Sequence, residues 1–279
     1  RLGRFDRPIG FWLLLLPGWW ILPLSNIELI KCLKLMFIFF VGSIVMRAAG
    51  CTINDLWDKD IDKKISRTQK RPIASGEISI LEAFIFLSIM LLIGLLCLIQ
   101  LDIETWIIAL SSIPLVIIYP LAKRFTKWPQ IFLGFTFSWS IPTAWSASGM
   151  PWEWGVFTMY VATVFWVVGY DTIYGCQDSN EDEFHGIKNS AVSAKKFLIK
   201  FVALIYCFTI CLLIVSGIAL NASYFWYLGV LIVTIHFIVQ IYKLKYLNEK
   251  STISIFKSNR TIGLILTLGA LGNYINFTT

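Results

Sequence analysis

Charge is what this sequence has least of. Only 15% of its 279 residues are Asp, Glu, Lys or Arg, against about 25% in an ordinary soluble domain. Together with 57% apolar residues and a mean hydropathy of +0.72, that scarcity excludes a water-soluble globule. Disorder, collagen and coiled coil are excluded too, because apolar runs long enough to cross a bilayer recur along the chain. None of the six cysteines, Cys32, Cys51, Cys97, Cys176, Cys207 and Cys211, forms a CxxC pair. Neither a zinc site nor a structural disulfide is expected, and all six read as buried thiols. No basic stripe or reading helix stands apart from the apolar runs, so the net charge of +7 reflects membrane topology and not nucleic acid. The first apolar segment has no small-residue cleavage site and leads into further spans, so a cleavable signal peptide is not expected. A chain that starts on Arg1 and not on Met is expected to lack a short N-terminal stretch.

What the sequence does have is apolar length. Runs bounded by charge, Pro or Gly give nine expected spans, at 9–25, 33–50, 79–101, 105–121, 130–148, 154–173, 197–219, 223–243 and 260–277. The fold class is therefore all-α and polytopic, a single membrane unit over residues 1–279. With the N-terminus in the cytoplasm, every one of the 24 Lys and Arg residues except Lys31 and Lys34 falls on the inner side, which fixes the orientation. Trp19, Trp20, Trp106, Trp152, Trp154 and Trp226 lie near the outer span ends, where an amphipathic ring suits the headgroup region. Pro17 and Pro23 are expected to kink or end the first span, and Gly134 to permit close helix packing. Phe135, Phe137, Trp139 and Trp166 read as lipid-facing or packing residues. The long polar loops after the second and sixth spans are where chemistry belongs.

Each of those loops carries an acidic cluster. In NDLWDKDID, residues 54–62, Asp55, Asp58 and Asp62 fall within about 60° of one another on a helix, Asn54 joins Asp58 at i+4, and Asp60 points elsewhere. In DTIYGCQDSNED, residues 171–182, Asp171, Asp178 and Asp182 form a second stripe beside Tyr174 and Gly175. Like charges stacked in this way repel, so the arrangement makes physical sense when a cation neutralises them. Both stripes end spans that finish on the same side of the membrane. Facing rows of hard carboxylate oxygens suit Mg²⁺, whose shell is completed by substrate phosphate, and Arg67, Arg71, Lys123 and Lys188 stand ready for the phosphates. A solvated, charge-rich linker explains either cluster alone less well once the two match. A cation transporter would place its ionisable residues near the bilayer midplane, and the span middles here are almost free of charge.

The segments RFDRPIG at 4–10, MRAAGCTINDLWDKDID at 46–62, RPIASG at 71–76, YPLAKR at 119–124, PQIFLGFTFSWSIP at 129–142, YDTIYGCQDSNED at 170–182 and FKSNRTIGLILTLG at 256–269 carry a resemblance that runs nearly end to end. The chain resembles the UbiA family of intramembrane aromatic prenyltransferases, and MRAAGC and GFTFSWSIP look like its hydroxybenzoate branch. Two positions depart from the family pattern: Gly175, where Ala is usual, and Asn189, where Thr or Ser is usual.

The resemblance implies nine transmembrane helices around a central cavity with a cytoplasmic cap, in a bacterial inner membrane. It also implies Mg²⁺-dependent transfer of a polyprenyl group from its diphosphate to the ring carbon ortho to the hydroxyl of 4-hydroxybenzoate, in ubiquinone biosynthesis. A naphthoate, homogentisate or haem acceptor is the alternative within the superfamily. On this reading Asp55, Asp58, Asp62, Asp171, Asp178 and Asp182 hold the metal, with Asp55, Asp58, Asp171 and Asp178 the catalytic carboxylates. Asn54 and Tyr174 supply hydrogen bonds, and Tyr119 and Lys123, on one helical face, meet the substrate. Arg47, seven residues before Asn54 and on nearly the same face, offers a bidentate fork to the acceptor's carboxylate. Its other reading is an interfacial residue that snorkels to the membrane surface. Substrates and the bilayer are the partners expected; chain length of the prenyl donor is not legible.

Overall fold

The computed structural model describes residues 1–65, 68–177, 179, 188–246 and 249–275, with the side chains of 249 and 250 left out. The described residues are helical with no strand. In chain order the helices are α1 (Ile9–Leu24), α2 (Leu29–Trp57), α3 (Lys59–Asp62), α4 (Ile80–Leu98), α5 (Ile103–Leu110), α6 (Ile113–Phe125), α7 (Pro129–Ser138), α8 (Ser140–Ser148), α9 (Trp154–Gly175), α10 (Ser190–Ala194), α11 (Leu198–Ala219), α12 (Tyr224–Lys243) and α13 (Glu249–Leu271).

Among the described residues, six helical segments are long and apolar enough to cross a bilayer: α2, α4, α5 with α6, α9, α11 and α12. They match six of the nine expected spans, and the other three, 9–25, 130–148 and 260–277, fall on α1, on α7 with α8, and on α13. Helix α1 is short at 16 residues, and α13 carries charge through its first turns. The run at 130–148 is broken at Trp139, where Pro142 has no N–H to continue the ladder. Helices α5 and α6 part at Ser111 and Ser112, whose hydroxyls donate back to the carbonyls of Ile108 at 2.7 Å and Ala109 at 2.6 Å, just before Pro114. Serine back-bonding and a missing donor together interrupt the helix.

Burial sorts the helices. Leu15, Leu16, Ile21 and Leu22 of α1 are fully buried, and α9 is the most buried of the long spans, so these two form the middle of the bundle. Helix α4 is almost wholly exposed, with Leu81, Phe84, Ile85, Leu92 and Leu96 facing outward, which in this apolar chain is a lipid-facing surface. Helix α9 packs on α11 and α7, α2 on α4, α12 on α13, and α1 on α13, α2 and α8. A Cβ at Gly134 would lie 3.0 Å from Val164 Cγ1 and 3.1 Å from its carbonyl oxygen, so this glycine sets the close approach of α7 and α9.

Two expectations change in the tertiary structure. Trp20 and Trp226 are buried, their indole N–H groups donating to the carbonyls of Gly263 at 2.8 Å and Leu213 at 3.1 Å. They are core residues, whereas Trp152 and Trp154 are exposed. Of the cysteines, Cys32 and Cys51 are buried, but Cys207 and Cys211 lie exposed on α11.

Candidate active site

Helix α2 ends at Trp57, and the chain bends through Asp58 into the single turn of α3. This carries Asp55, Asp58 and Asp62 to the end of the bundle that holds the N-terminus. All three are buried, at 1%, 1% and 3% exposure, whereas Asp60 points outward at 90% exposure beside Lys63. Buried carboxylates need partners, and they find three cations. Arg4 Nη2 donates to both oxygens of Asp55 at 2.8 Å. Arg71 Nη1 bridges Asp55 Oδ1 at 3.2 Å and Asp62 Oδ2 at 2.8 Å, and Lys123 Nζ reaches Asp58 Oδ2 at 2.5 Å. Asp58 Oδ1 is buried with no hydrogen-bond partner. Burial holds the Asp62 carboxyl above its ordinary range, with Arg71 pulling the other way.

The second acidic row is represented among the described residues by Asp171 on α9; Asp178 and Asp182 lie outside them, as does Arg67. Asp171 lies within electrostatic reach of Arg47, and Tyr119 on α6 feels both Asp171 and Asp58. Asp171, the described member of the second row, therefore lies near Arg47 and Tyr119, and Tyr119 is near Asp58 of the first row as well. Among the described residues no three carboxylate, His or Cys side chains close on a common point, because the first row is turned onto Arg4, Arg71 and Lys123.

Arg47 is turned into the bundle. Its guanidinium carbon stands 5.5 Å over the Phe137 ring, and a Cβ on Gly10 would collide with its Nε, so Gly10 leaves the space the arginine fills. Nε is buried without a partner. Tyr170, one residue before Asp171, is also unpartnered at its hydroxyl and is held edge-on by Trp166 at 5.1 Å and Phe256 at 5.7 Å. Tyr174, one turn on, rests its ring against Phe256 at 4.5 Å. An unsatisfied buried donor costs about 1–3 kcal/mol, so each of these two atoms is a candidate contact for a polar ligand. Asn54 is half-buried. Lys188 sits at the rim, with Nζ on the Arg124 carbonyl at 3.4 Å.

Sequence reading missed Arg4 and Tyr170. Arg4 opens the RFDRPIG segment that carries part of the family resemblance, but its role comes from a contact with Asp55 across 51 residues, which no local pattern encodes. Tyr170 did have a signal, its place in the YDTIY run.

The profile of the UbiA prenyltransferase family matches residues 11–263. The chain belongs to this family. Its relatives include the mitochondrial 4-hydroxybenzoate polyprenyltransferase of Aedes aegypti, 41% identical over 96% of this chain and 62% of that protein. The human mitochondrial 4-hydroxybenzoate polyprenyltransferase is 40% identical over 98% of this chain and 74% of that protein. The chain thus spans about three-fifths to three-quarters of the length of these relatives. Among solved structures, a UbiA homologue from Aeropyrum pernix superposes with a TM-score of 0.78 at 21% identity over 94% of this chain and 97% of that one. A UbiA homologue from Archaeoglobus fulgidus, bound to DMAPP and Mg²⁺, gives 0.68 at 17% identity over 99% and 100%.

The mitochondrial relatives overturn the expectation of a bacterial inner membrane. Charge asymmetry reports which face keeps the basic loops, and it carries no information about which membrane is crossed.

Proposed function

We propose that this chain is a 4-hydroxybenzoate polyprenyltransferase of ubiquinone biosynthesis, folded as one unit over residues 1–279 and embedded in a mitochondrial membrane. The observation that carries the reading is the buried row of Asp55, Asp58 and Asp62, compensated by Arg4, Arg71 and Lys123 and left with one unpartnered oxygen at Asp58. A membrane protein does not bury this much charge without using it.

The residues present fit a hard divalent cation. The donors are carboxylates, and Asp58, paired with Lys123 through Oδ2, keeps a buried Oδ1 with no hydrogen-bond partner that is free to ligate. Mg²⁺ would be held by Asp55, Asp58, Asp62 and Asp171, with Asp178 and Asp182 completing the second row. When bound, it supplies Lewis-acid withdrawal of charge from the diphosphate.

Arg71, Lys123 and, at the rim, Lys188 bind phosphate oxygens and stabilise the charge that gathers on the leaving group as the allylic C–O bond breaks and its electron pair departs with the diphosphate. Arg67 joins them in this reading. Asn54 and Tyr174 orient the diphosphate by hydrogen bonds, and Tyr119, on the helical face of Lys123, contacts the substrate. Trp166, Tyr170 and Phe256 wall the interior and exclude water from the allylic carbon. Arg47 pairs with the carboxylate of 4-hydroxybenzoate through its unpartnered Nε edge, orienting the ring so that the carbon ortho to the phenol oxygen attacks and then loses its proton.

The test is a membrane assay with Mg²⁺, 4-hydroxybenzoate and a polyprenyl diphosphate, comparing the wild type with Asp55→Ala and Asp178→Ala. Turnover falls by at least a hundredfold in each variant; turnover retained in both is incompatible with the metal–diphosphate reading.

A further inference from the structure

Three cations lie on the first acidic row, and one of them stands apart. Arg71 and Lys123 belong to loops and helices that frame the site. Arg4 comes from the strap of successive turns ahead of α1, and it takes both oxygens of Asp55. It does so from an uncommon backbone, with φ at 56°, a left-handed conformation that a residue with a side chain keeps only when its surroundings hold it there. The strap is fastened beside it. Arg1 forms a two-point ion pair with Glu77 at 2.7 and 2.9 Å, and Leu2 is buried with Ile73 and Ala83. A cleft of ≈ 310 Å³, bounded by Leu2, Phe5, Ile78 and Phe86, lies against the strap.

We propose that Arg4 is a resident counter-ion that keeps a divalent metal off Asp55 until a diphosphate arrives, so that metal and diphosphate load together. The proposal rests on the metal–diphosphate reading above. Its physical basis is charge balance in a buried site. The three carboxylates already face three positive side chains. A metal ion entering alone leaves uncompensated positive charge out of water, which is costly. A metal entering with a diphosphate brings its own negative charge, and gives Arg4 a new anion when it leaves Asp55. By linkage, a group that competes with the metal for Asp55 weakens metal binding in the empty protein and makes it depend on the anion. Arg4 acts through Asp55 and is a positioning residue.

The experiment measures Mn²⁺ binding to the full chain in nanodiscs by the electron paramagnetic resonance signal of the free ion, with and without inorganic pyrophosphate. Wild type, Arg4→Gln, Arg4→Lys, Arg1→Gln and Asp55→Asn are compared. Arg4→Gln binds Mn²⁺ at least fivefold more tightly than wild type in the absence of pyrophosphate, and gains correspondingly less when it is added. Arg4→Lys, which keeps the charge and guards against a folding failure of the neutral variant, falls between the two. Arg1→Gln, which loosens the strap without touching Asp55, shifts Mn²⁺ binding in the same direction as Arg4→Gln but by less. If wild type binds Mn²⁺ with pyrophosphate and Asp55→Asn abolishes it, yet neither Arg4 variant binds metal more tightly alone, the counter-ion role is wrong and the metal site stands. If Asp55→Asn leaves Mn²⁺ binding with pyrophosphate intact, the metal site itself is wrong and the counter-ion role falls with it.

Discussion

The side-chain amide of Asn189 occupies the space that a Cβ on Gly175 would need. Such a Cβ would lie 2.7 Å from Asn189 Oδ1, and Asn189 Nδ2 donates to the Gly175 carbonyl at 3.1 Å. Asn189 Oδ1 in turn accepts from Gln130 Nε2 at 3.0 Å and from the Ala191 N–H at 2.9 Å, capping α10. The two positions at which the chain departs from the UbiA pattern are thus one packing unit. It ties α10 and α7 to the end of α9, where the second acidic cluster begins.

Gly175→Ala alone therefore forces the Asn189 amide aside and destabilises the protein by about 1–3 kcal/mol, the usual range for overpacking. Asn189→Thr combined with Gly175→Ala recovers most of the loss, since threonine still caps α10 and vacates the space. A double-mutant cycle by thermal unfolding in detergent reads a coupling of about 1 kcal/mol or more; additive effects would refute the pairing.

Lys123→Met strands Asp58, 1% exposed, without its cation. Removing one partner of a buried ion pair costs about 3–5 kcal/mol, so the melting temperature of the metal-free protein drops markedly. Asp58→Asn in the same background restores much of it, because the neutral amide no longer needs a counter-charge. A melting temperature unchanged in Lys123→Met would show that Asp58 is not held by this lysine.

Arg47→Ala raises KM for 4-hydroxybenzoate by at least tenfold, or about 1.4 kcal/mol, with KM for the polyprenyl diphosphate changed much less. Arg47→Lys recovers only part, since an ammonium lacks the planar fork. Initial-rate kinetics with each substrate varied in turn check this; equal effects on both substrates would remove Arg47 from the acceptor.

Tyr170→Phe removes a hydroxyl that has no partner in the protein, so the fold loses nothing. Its melting temperature stays at or slightly above that of the wild type, because an unsatisfied buried group is deleted. If that hydroxyl meets the acceptor, the same variant raises its KM several-fold; a drop in stability would place an internal hydrogen bond there instead.

Much of the site was legible as local pattern. Asp55, Asp58 and Asp62 share a stripe because the helical period is fixed by backbone geometry, and all three are buried while Asp60 is not. Gly134 was legible as a packing glycine. Tryptophan position was less so, since Trp20 and Trp226 sit at apparent span ends yet hydrogen-bond within the core. A sequence reports distance along the chain, and these rings are buried by other helices, as far as 243 positions away for Trp20.

The amino-acid order by itself determined that the chain lives in a membrane, that its basic loops share one face, and that its carboxylates gather at span ends. Hydropathy, charge and helical period are additive along the chain, so they need no partner to be read. Only the tertiary structure decided that α1 and α9 are central while α4 faces lipid, that serine and proline break two of the expected spans, and which cation meets which carboxylate. Those outcomes depend on residues such as Arg4 and Asp55, or Lys123 and Asp58, 51 and 65 positions apart, meeting in a dry interior where each charge must find an opposite one.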